Sequence, residues 1–265
     1  EYRSIWGDLN WLGDLHDLSQ VKGSMSRLRI QHRTEYEYVR PITLGRHRLV
    51  LRPREGHDLR VESMHLVISP AYQLTWSRDV FGNSIAIVDF LEPTDKLEIL
   101  NDVIVSRTSP FPEQSPHSPW PIPFPVIYDP LEMGAAAAYQ SASFATDANE
   151  VREWVNQVVP KPELQSSESI LFALGEAIYR QIKYQRRSEK GVQSPLQTLS
   201  LASGSCRDMA TLMMEAGRTL GIATRFASGY LDCPAAMAGH ASTHAWTEYY
   251  LPTLGWRGFD PTLGQ

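Results

Sequence analysis

The pattern of hydrophobic and polar residues divides the chain into a strand-like first half and a helical second half. Between Arg27 and Arg107, short runs rich in β-branched and aromatic residues are typical of strands. Turn-forming pairs such as Glu55-Gly56 and Glu92-Pro93 separate these runs. Strands are predicted over 28–38, 48–52, 60–68, 72–76, 84–90 and 96–100. Their length and spacing favour a small antiparallel β-sandwich.

The second half begins with helical spacing of its apolar residues. One such stretch covers 150–159 and is ended by Pro160, which cannot continue a helix. The longest apolar stripe predicts a helix from Ser166 to Tyr184, with Ser166 or Ser167 as its cap. After Pro195 a loop containing Gly204 is expected. It leads into a helix over 206–220, which glycine 221 ends. Strands follow over 224–231, 244–251 and 256–260.

A proline-rich stretch from Pro110 to Pro130 separates the two halves. Such a run cannot form a helix and is typical of an extended linker. The resulting fold class is α+β, in which an N-terminal antiparallel β-sandwich precedes a core of helices packed on an antiparallel sheet. The expected domains are a β-rich domain over 25–107, a linker over 108–130 and a catalytic core over 131–265.

The first 24 residues differ in composition from the rest. Gly23-Ser24-Met25 resembles a cloning scar, so 1–24 is predicted to be a tag or fused peptide. A native amphipathic segment is the alternative, because Ile5, Leu9 and Leu12 lie at helical spacing. The apolar side chains of 1–18 predict that this segment, if ordered, docks in a groove.

Composition and charge exclude several classes of protein. A chain of 265 residues with 42% hydrophobic residues has room for one large domain or two smaller ones. The net charge of −5 does not suit a nucleic-acid binder. No apolar run is long enough to span a bilayer, and the N-terminus lacks a signal-peptide pattern. Two cysteines argue against a disulfide-stapled domain, so we expect a cytoplasmic protein without membrane or nucleic-acid partners.

Three short segments carry residues suited to nucleophilic catalysis. Cys206 lies where a glycine-containing loop enters a helix, so backbone amides and the positive helix end favour its thiolate. His244 opens one predicted strand, and Asp260 ends the next. Taken singly, each has an ordinary alternative: a buried cysteine, a packed histidine and a turn-stabilising aspartate. Together they supply a nucleophile, a base and a group that orients the base.

The sequence around these residues resembles the transglutaminase-like superfamily. The resemblance rests on Gly-Ser-Cys-Arg-Asp-Met-Ala at 204–210, His-Ala-Trp-Thr-Glu-Tyr at 244–249 and Gly-Trp-Arg-Gly-Phe-Asp-Pro-Thr at 255–262. The first half, with Leu51-Arg-Pro53 and Asp79-Val-Phe-Gly-Asn83, is similar to the β-rich region that precedes this core in bacterial members. The resemblance covers roughly 28–264.

This resemblance implies a papain-like mechanism with Cys206 as nucleophile, His244 as base and Asp260 as orienter. It implies a thioester acyl-enzyme formed from a peptide or protein substrate, resolved by water in a peptidase or amidase and by an amine in a crosslinking transamidase. A non-catalytic peptide-binding scaffold is the alternative from another class. No cofactor or metal is expected, since no cluster resembles a calcium or zinc site.

Some neighbouring residues have weaker assignments. Asp208 is expected to satisfy amides at the helix start. Trp246 would either wall the cleft or pack in the core, and His240 would not be the base. Gln193 and Gln197 are the side chains considered as oxyanion donors.

Overall fold

The computed structural model describes residues 3–6, 25–108, 121–231 and 243–264. The chain forms two compact units. One comprises Glu1–Glu113 and Leu231–Ser242, and the other comprises Gln114–Tyr230 and Thr243–Gln265. Of the predicted segment 1–24, only the backbone of residues 3–6 is described, so most of the docking prediction lies outside the described residues.

The first unit is an antiparallel β-sandwich. Its described strands are β1 (Arg3–Trp6), β2 (Met25–Ile42), β3 (His47–Leu49), β4 (Leu59–Ser69), β5 (Tyr72–Arg78), β6 (Ser84–Phe90) and β7 (Thr94–Thr108). One sheet has the order β1-β2-β7-β4 and the other the order β3-β6-β5, with every pairing antiparallel. Buried apolar residues of both sheets, including Ile68, Val88 and Leu97, share one cluster. The predicted sandwich is therefore confirmed.

Strand β7 is longer than the sequence predicts. The predicted strand stops at residue 100, yet the observed strand continues through Asn101 and Asp102, two residue types common in turns, to Thr108. Asn101 is fully buried and donates a hydrogen bond to the Leu51 carbonyl at 3.3 Å. The Asp102 carboxylate accepts from the Arg29 guanidinium at 2.9 Å. Partners on neighbouring segments therefore keep two turn-forming residues inside a strand.

The second unit combines helices with a small antiparallel sheet. Its helices are α1 (Met133–Gln140), α2 (Ala148–Val158), α3 (Ser167–Gln181), α4 (Pro195–Leu201) and α5 (Cys206–Thr219), with 3₁₀ turns at Ala145–Asp147 and Pro162–Leu164. Its strands are β8 (Lys183–Tyr184), β9 (Ser203–Gly204), β10 (Thr224–Tyr230), β11 (Thr243–Leu251) and β12 (Gly255–Phe259). The sheet order is β10-β11-β12, and β8 pairs with β9 in parallel.

Helix α5 occupies the centre of the second unit. All ten residues from Asp208 to Gly217 are buried, and α3 packs its apolar stripe against it. The other side of α5 faces β11, where the buried Tyr249 hydroxyl donates to the Met213 carbonyl at 2.8 Å. Because α5 is enclosed on both sides, the position of its first residue, Cys206, is fixed by core packing.

Helix α4 was not predicted, since the sequence analysis placed a loop after Pro195. Ser194 caps this helix: its hydroxyl accepts from the Gln197 amide at 3.3 Å, and the Gln197 side chain accepts from the Ser194 amide at 3.0 Å. This reciprocal capping box, with proline at the first helical position, was missed because the helix is only seven residues long. Helix α1 was also missed.

The other predicted helices are confirmed with small changes at their ends. Ser166 caps α3 as predicted, because its hydroxyl accepts from the Ser169 amide at 3.2 Å. That helix ends at Gln181, three residues before the predicted end. Part of the proline-rich stretch also packs in this unit, where Ile122 and Phe124 contact the core and the Glu168 carboxylate accepts from the Ile122 amide. Among the described residues, no helix is both long and apolar enough to cross a membrane.

Candidate active site

Cys206 is the first residue of α5 and carries a free thiol that is partly accessible to solvent. Strand β9 and the N-cap residue Ser205 lead directly into it. The N-terminus of a helix presents backbone amides and a partial positive charge, and both stabilise a thiolate. The site prediction placed the thiol at this kind of loop-to-helix junction, and the structure has it there.

Asp208 holds the segments on both sides of the thiol. Its carboxylate is fully buried and accepts from the Ser205 amide and hydroxyl, both at 2.8 Å. It also accepts from the Gln193 amide and the Arg187 guanidinium, both at 2.7 Å. Burial alone would raise the pKa of Asp208, but these four donors hold it below its usual value. The ionised carboxylate thus satisfies amides at the helix start, as predicted.

Gly204 allows this close packing. A Cβ atom at position 204 would lie 2.9 Å from the Asp208 Cβ and 3.2 Å from the Gln193 Oε1. Because neither neighbour is free to retreat from its buried hydrogen bonds, a larger residue here would displace the loop that carries Cys206.

His244 and Asp260 are brought together by the pairing of two antiparallel strands. His244 is the second residue of β11, and Asp260 directly follows β12. The register of these strands, with Thr247 opposite Phe259, sets the Asp260 carboxylate beside the His244 ring. The distance from His244 Nε2 to Asp260 Oδ2 is 2.5 Å. The side-by-side arrangement expected from the sequence is present.

The other side of the His244 ring interacts with Cys206. Burial lowers the pKa of His244, but hydrogen bonds to Asp260 and to Cys206, together with their charges, raise it to about 9. Since Nε2 faces Asp260, the nitrogen left for the thiol is Nδ1. The protonated form of the ring is therefore stabilised by both the carboxylate and the sulphur.

Thr262 completes the surroundings of the carboxylate. Its hydroxyl donates to Asp260 Oδ1 at 2.6 Å, and its backbone amide donates to the same oxygen at 2.9 Å. The hydroxyl oxygen is also 3.4 Å from His244 Nε2. The two carboxylate oxygens are thus divided between His244 and Thr262, which restricts rotation of the carboxylate. Sequence reasoning had not identified Thr262, although it lies only two residues after Asp260.

Trp246 lies on the same face of the sheet as His244. The two ring centroids are 6.4 Å apart with an interplanar angle of 24°. Glycines on both neighbouring strands make room for the indole, because a Cβ at Gly229 would be 2.8 Å from it and one at Gly258 would be 3.3 Å from it. The indole therefore spans the sheet beside the imidazole. His240 and Cys233 lie outside the described residues.

Both glutamines considered as oxyanion donors make structural hydrogen bonds. Gln193 is buried, and its Oε1 accepts from the Thr198 hydroxyl at 3.2 Å. Gln197 belongs to the capping box of α4. Tyr184, which sequence reasoning missed, also lies near this segment, because β8 pairs it with Gly204, two residues before the thiol. Burial raises the pKa of Tyr184 and the charge of Cys206 raises it further, so the phenol keeps its proton as a donor.

Family models match both halves of the chain. The bacterial transglutaminase-like N-terminal region matches residues 28–106, and the transglutaminase-like superfamily matches residues 152–261. An uncharacterized protein of Mycobacterium tuberculosis is 31% identical over 265 residues, covering 94% of this chain and 82% of the relative. One of Mycobacterium leprae is 23% identical over 242 residues, covering 90% of this chain and 84% of the relative.

A solved structure shares the fold. It is that of a candidate cysteine protease from Cytophaga hutchinsonii, which matches with a TM-score of 0.69 and 16% identity over 99% of this chain and 79% of that one. At this identity the likeness supports the α+β fold and nothing finer. The two family models show that the chain belongs to the transglutaminase-like superfamily and carries the N-terminal region found in its bacterial members.

Proposed function

We propose that this protein hydrolyses peptide, isopeptide or carboxamide bonds through a thioester on Cys206, with His244 as base and Asp260 as the group that orients it. The observation that carries the proposal is the hydrogen bond between the His244 ring and Asp260, with Cys206 acting on the same ring and the His244 pKa raised to about 9. A buried imidazole held in this way can take the thiol proton and return it later.

The reaction runs in two halves. With the Cys206 proton held on His244 Nδ1, the sulphur attacks the carbonyl carbon to give a tetrahedral oxyanion. The imidazolium then donates its proton to the leaving amine, and the C–N bond breaks to leave a thioester. In the second half, His244 takes a proton from water and the resulting hydroxide attacks the thioester carbon. The C–S bond then breaks, the acid product departs, and Cys206 and His244 retain the proton that restores the starting state.

The oxyanion needs donors where its charge develops. We assign this role to the amides of the first turn of α5 and to the Tyr184 hydroxyl. The parallel pairing of β8 with β9 holds Tyr184 beside the loop that carries the thiol. About half of the Tyr184 side chain is exposed, so its hydroxyl is accessible to a substrate. Donors fixed in advance in this way stabilise the oxyanion without reorganisation.

Acyl-enzyme trapping with a peptide library, read by intact-mass spectrometry, tests the proposal. The wild-type protein should gain the mass of an acyl group on Cys206 and release a free acid. Cys206→Ala should fold normally and gain nothing, while Cys233→Ala should behave like the wild type. Turnover by a well-folded Cys206→Ala protein would overturn the proposal. Adding a primary amine shows whether an amine competes with water for the thioester, as it would in a transamidase.

A further inference from the structure

The edge strands of the first unit differ in how they are protected from pairing with another chain. An exposed edge presents unpaired backbone groups, and proteins commonly blunt it with a short strand, a bulge or charged side chains. Strand β3, at one edge of its sheet, is only three residues long. Strand β4, at an edge of the other sheet, has a register shift between Val61 and Ser63 and exposes Arg60 and Glu62. The edges at β3 and β4 are therefore protected.

Strand β5, the other edge of the β3-β6-β5 sheet, has none of these features between Tyr72 and Ser77. It is seven residues long and pairs with β6 in an unbroken register. Residues 72–77 include no charged residue, proline or glycine. Within the described part of the chain, the backbone of β5 pairs with β6 alone. Its outer backbone groups are therefore available to an extended chain.

The side chains of β5 that face into the sandwich lose their cover along the strand. Alternate residues of a strand point to the same face, and here these are Tyr72, Leu74, Trp76 and Arg78. Tyr72 and Leu74 pack against the apolar cluster that the two sheets share. Trp76, in contrast, is 48% exposed, and Arg78 is exposed as well. The core therefore ends before the strand does and leaves a large aromatic side chain uncovered.

A cleft of about 810 Å³ opens at this position. Met64 and Leu66 from β4, together with Trp76 from β5, contribute apolar lining, and the cations Arg52 and Arg78 also line the cleft. All of its lining residues belong to the first unit. Such a lining suits a ligand that joins an apolar part to a negative charge.

The two arginines of the cleft differ in their partners. Arg52 donates to the Glu55 carboxylate at 2.7 Å, and its guanidinium lies 3.9 Å from the Met64 sulphur. Arg78 donates to the Gly82 carbonyl at 3.4 Å, which is a neutral acceptor. No carboxylate of the described residues forms an ion pair with Arg78. The charge of Arg78 is therefore available to a carboxylate from another molecule.

We propose that β5 binds an extended segment of a partner protein, which adds to its edge as a strand and carries an apolar residue and an acidic residue two positions apart. The apolar side chain covers Trp76 and the carboxylate binds Arg78, because these two residues share one face of β5 at the same spacing. In this mode of recognition, backbone hydrogen bonds supply affinity and alternate side chains supply specificity. A second copy of β5 does not fit, since residues 72–78 include no acidic residue. This binding is independent of the chemistry proposed for Cys206.

Short synthetic peptides test the proposal. The probes are fluorescein-labelled peptides rich in Thr and Val, with Ala, Leu or Phe at one position and Glu, Gln or Lys two positions later. Their binding to the wild type is measured by fluorescence anisotropy. Peptides that combine Leu or Phe with Glu should bind most tightly, and replacing Glu by Gln should weaken binding about two- to fivefold. Absence of binding by every peptide at about 0.3 mM protein would overturn the proposal.

N-methylation of the peptides tests whether they add as a strand. An extended peptide directs alternate N–H groups to opposite sides, so only one alternate set can donate to β5. Two versions of the tightest peptide are compared, each methylated on one of the two sets. One version should lose binding and the other should keep it. Equal binding of the two versions would contradict strand addition.

Variants locate the binding on β5. Arg78→Gln should bind the Glu and Gln peptides equally, and Trp76→Thr should bind the Phe and Ala peptides equally. Arg40→Gln and Val67→Thr are the matched controls, because they remove an exposed cation from β2 and an exposed apolar side chain from β4. Both should keep the preferences of the wild type.

Circular dichroism checks the fold of each variant, and Arg78→Gln decides the question if Trp76→Thr does not fold. A preference for Glu over Gln that survives in Arg78→Gln would overturn the proposal. Sedimentation velocity examines the remaining occupant. A dimer that Trp76→Thr dissociates and that no peptide displaces would assign the edge to a second copy of this chain, which also overturns the proposal.

Discussion

Asp260→Asn separates the contribution of the carboxylate from that of the rest of the site. Asparagine keeps the size of the side chain but removes the charge that raises the pKa of His244. With a pKa of about 9 the ring is about 99% imidazolium at pH 7, whereas the ordinary value of about 6.5 gives about a quarter. Losing one close carboxylate lowers a histidine pKa by about 1 to 3 units, and the burial that also lowers it remains.

Two measurements read this change. NMR titration of ¹³C-labelled histidine rings, with His244→Gln used for assignment, should give a midpoint near pH 9 in the wild type and a lower one in Asp260→Asn. The rate of acyl-enzyme formation should fall about 10²- to 10⁴-fold, because the base loses its orientation and its correct tautomer. Asp95 is an exposed carboxylate of the other unit, and Asp95→Asn should change neither the His244 midpoint nor the rate of acyl-enzyme formation.

The pH dependence of stability should follow the titration of His244 and Asp260. A raised pKa of His244 stabilises the folded protein below pH 6.5, and this contribution fades as the pH rises toward 9. The pKa of Asp260 is lowered mainly by its hydrogen bond to His244, against the effect of burial, so its contribution fades as the pH falls below about 4. In urea unfolding, the free energy of unfolding of the wild type should exceed that of Asp260→Asn by the largest amount between pH 4 and 6.5. If the titration midpoint of His244 in Asp260→Asn stays near pH 9, the reasoning is refuted.

Three further substitutions test the surroundings of the thiol. Tyr184→Phe should lower kcat about 10²-fold if the hydroxyl binds the oxyanion, yet leave alkylation of Cys206 by iodoacetamide unchanged, because alkylation forms no oxyanion. Thr262→Val should lower kcat by about tenfold with little change in KM, and Thr262→Ser should restore kcat. A serine variant as slow as the valine variant would show that the Thr262 hydroxyl does not contribute to kcat. Asp208→Asn should lower the free energy of unfolding by about 3 kcal/mol or more, measured in urea, because it removes a fully buried carboxylate charge that accepts four hydrogen bonds, one of them from Arg187. The exposed Glu163→Gln should have no measurable effect.

The elements that could be predicted from the sequence are those whose signals are local. Helix α3 has a long apolar stripe and a serine cap, and β11 and β12 have strand composition on either side of a turn. The order of Cys206, His244 and Asp260 could be interpreted because each lies at the end of such an element. The family membership follows from these segments and is confirmed by the family models.

The features that were missed depend on residues far apart in the chain. Tyr184 acquires its place only through pairing with Gly204, and nothing in the residues around Tyr184 indicates a parallel partner 20 positions later. Asn101 and Asp102 stay in a strand because segments from elsewhere in the first unit form hydrogen bonds with the Asn101 amide nitrogen and the Asp102 carboxylate. Helix α4 is different, since its capping box is local and could have been found.

The division of the site between α5 and the β11–β12 hairpin has a consequence for folding. The thiol belongs to the helix, while His244 and Asp260 belong to the hairpin, which the ribosome makes later. Under the proposed mechanism, the thiol lacks its base until the hairpin docks on α5. A nascent or locally opened chain would therefore not carry out the proposed acyl transfer. Activity would appear in the same cooperative step that buries Tyr249 against the helix.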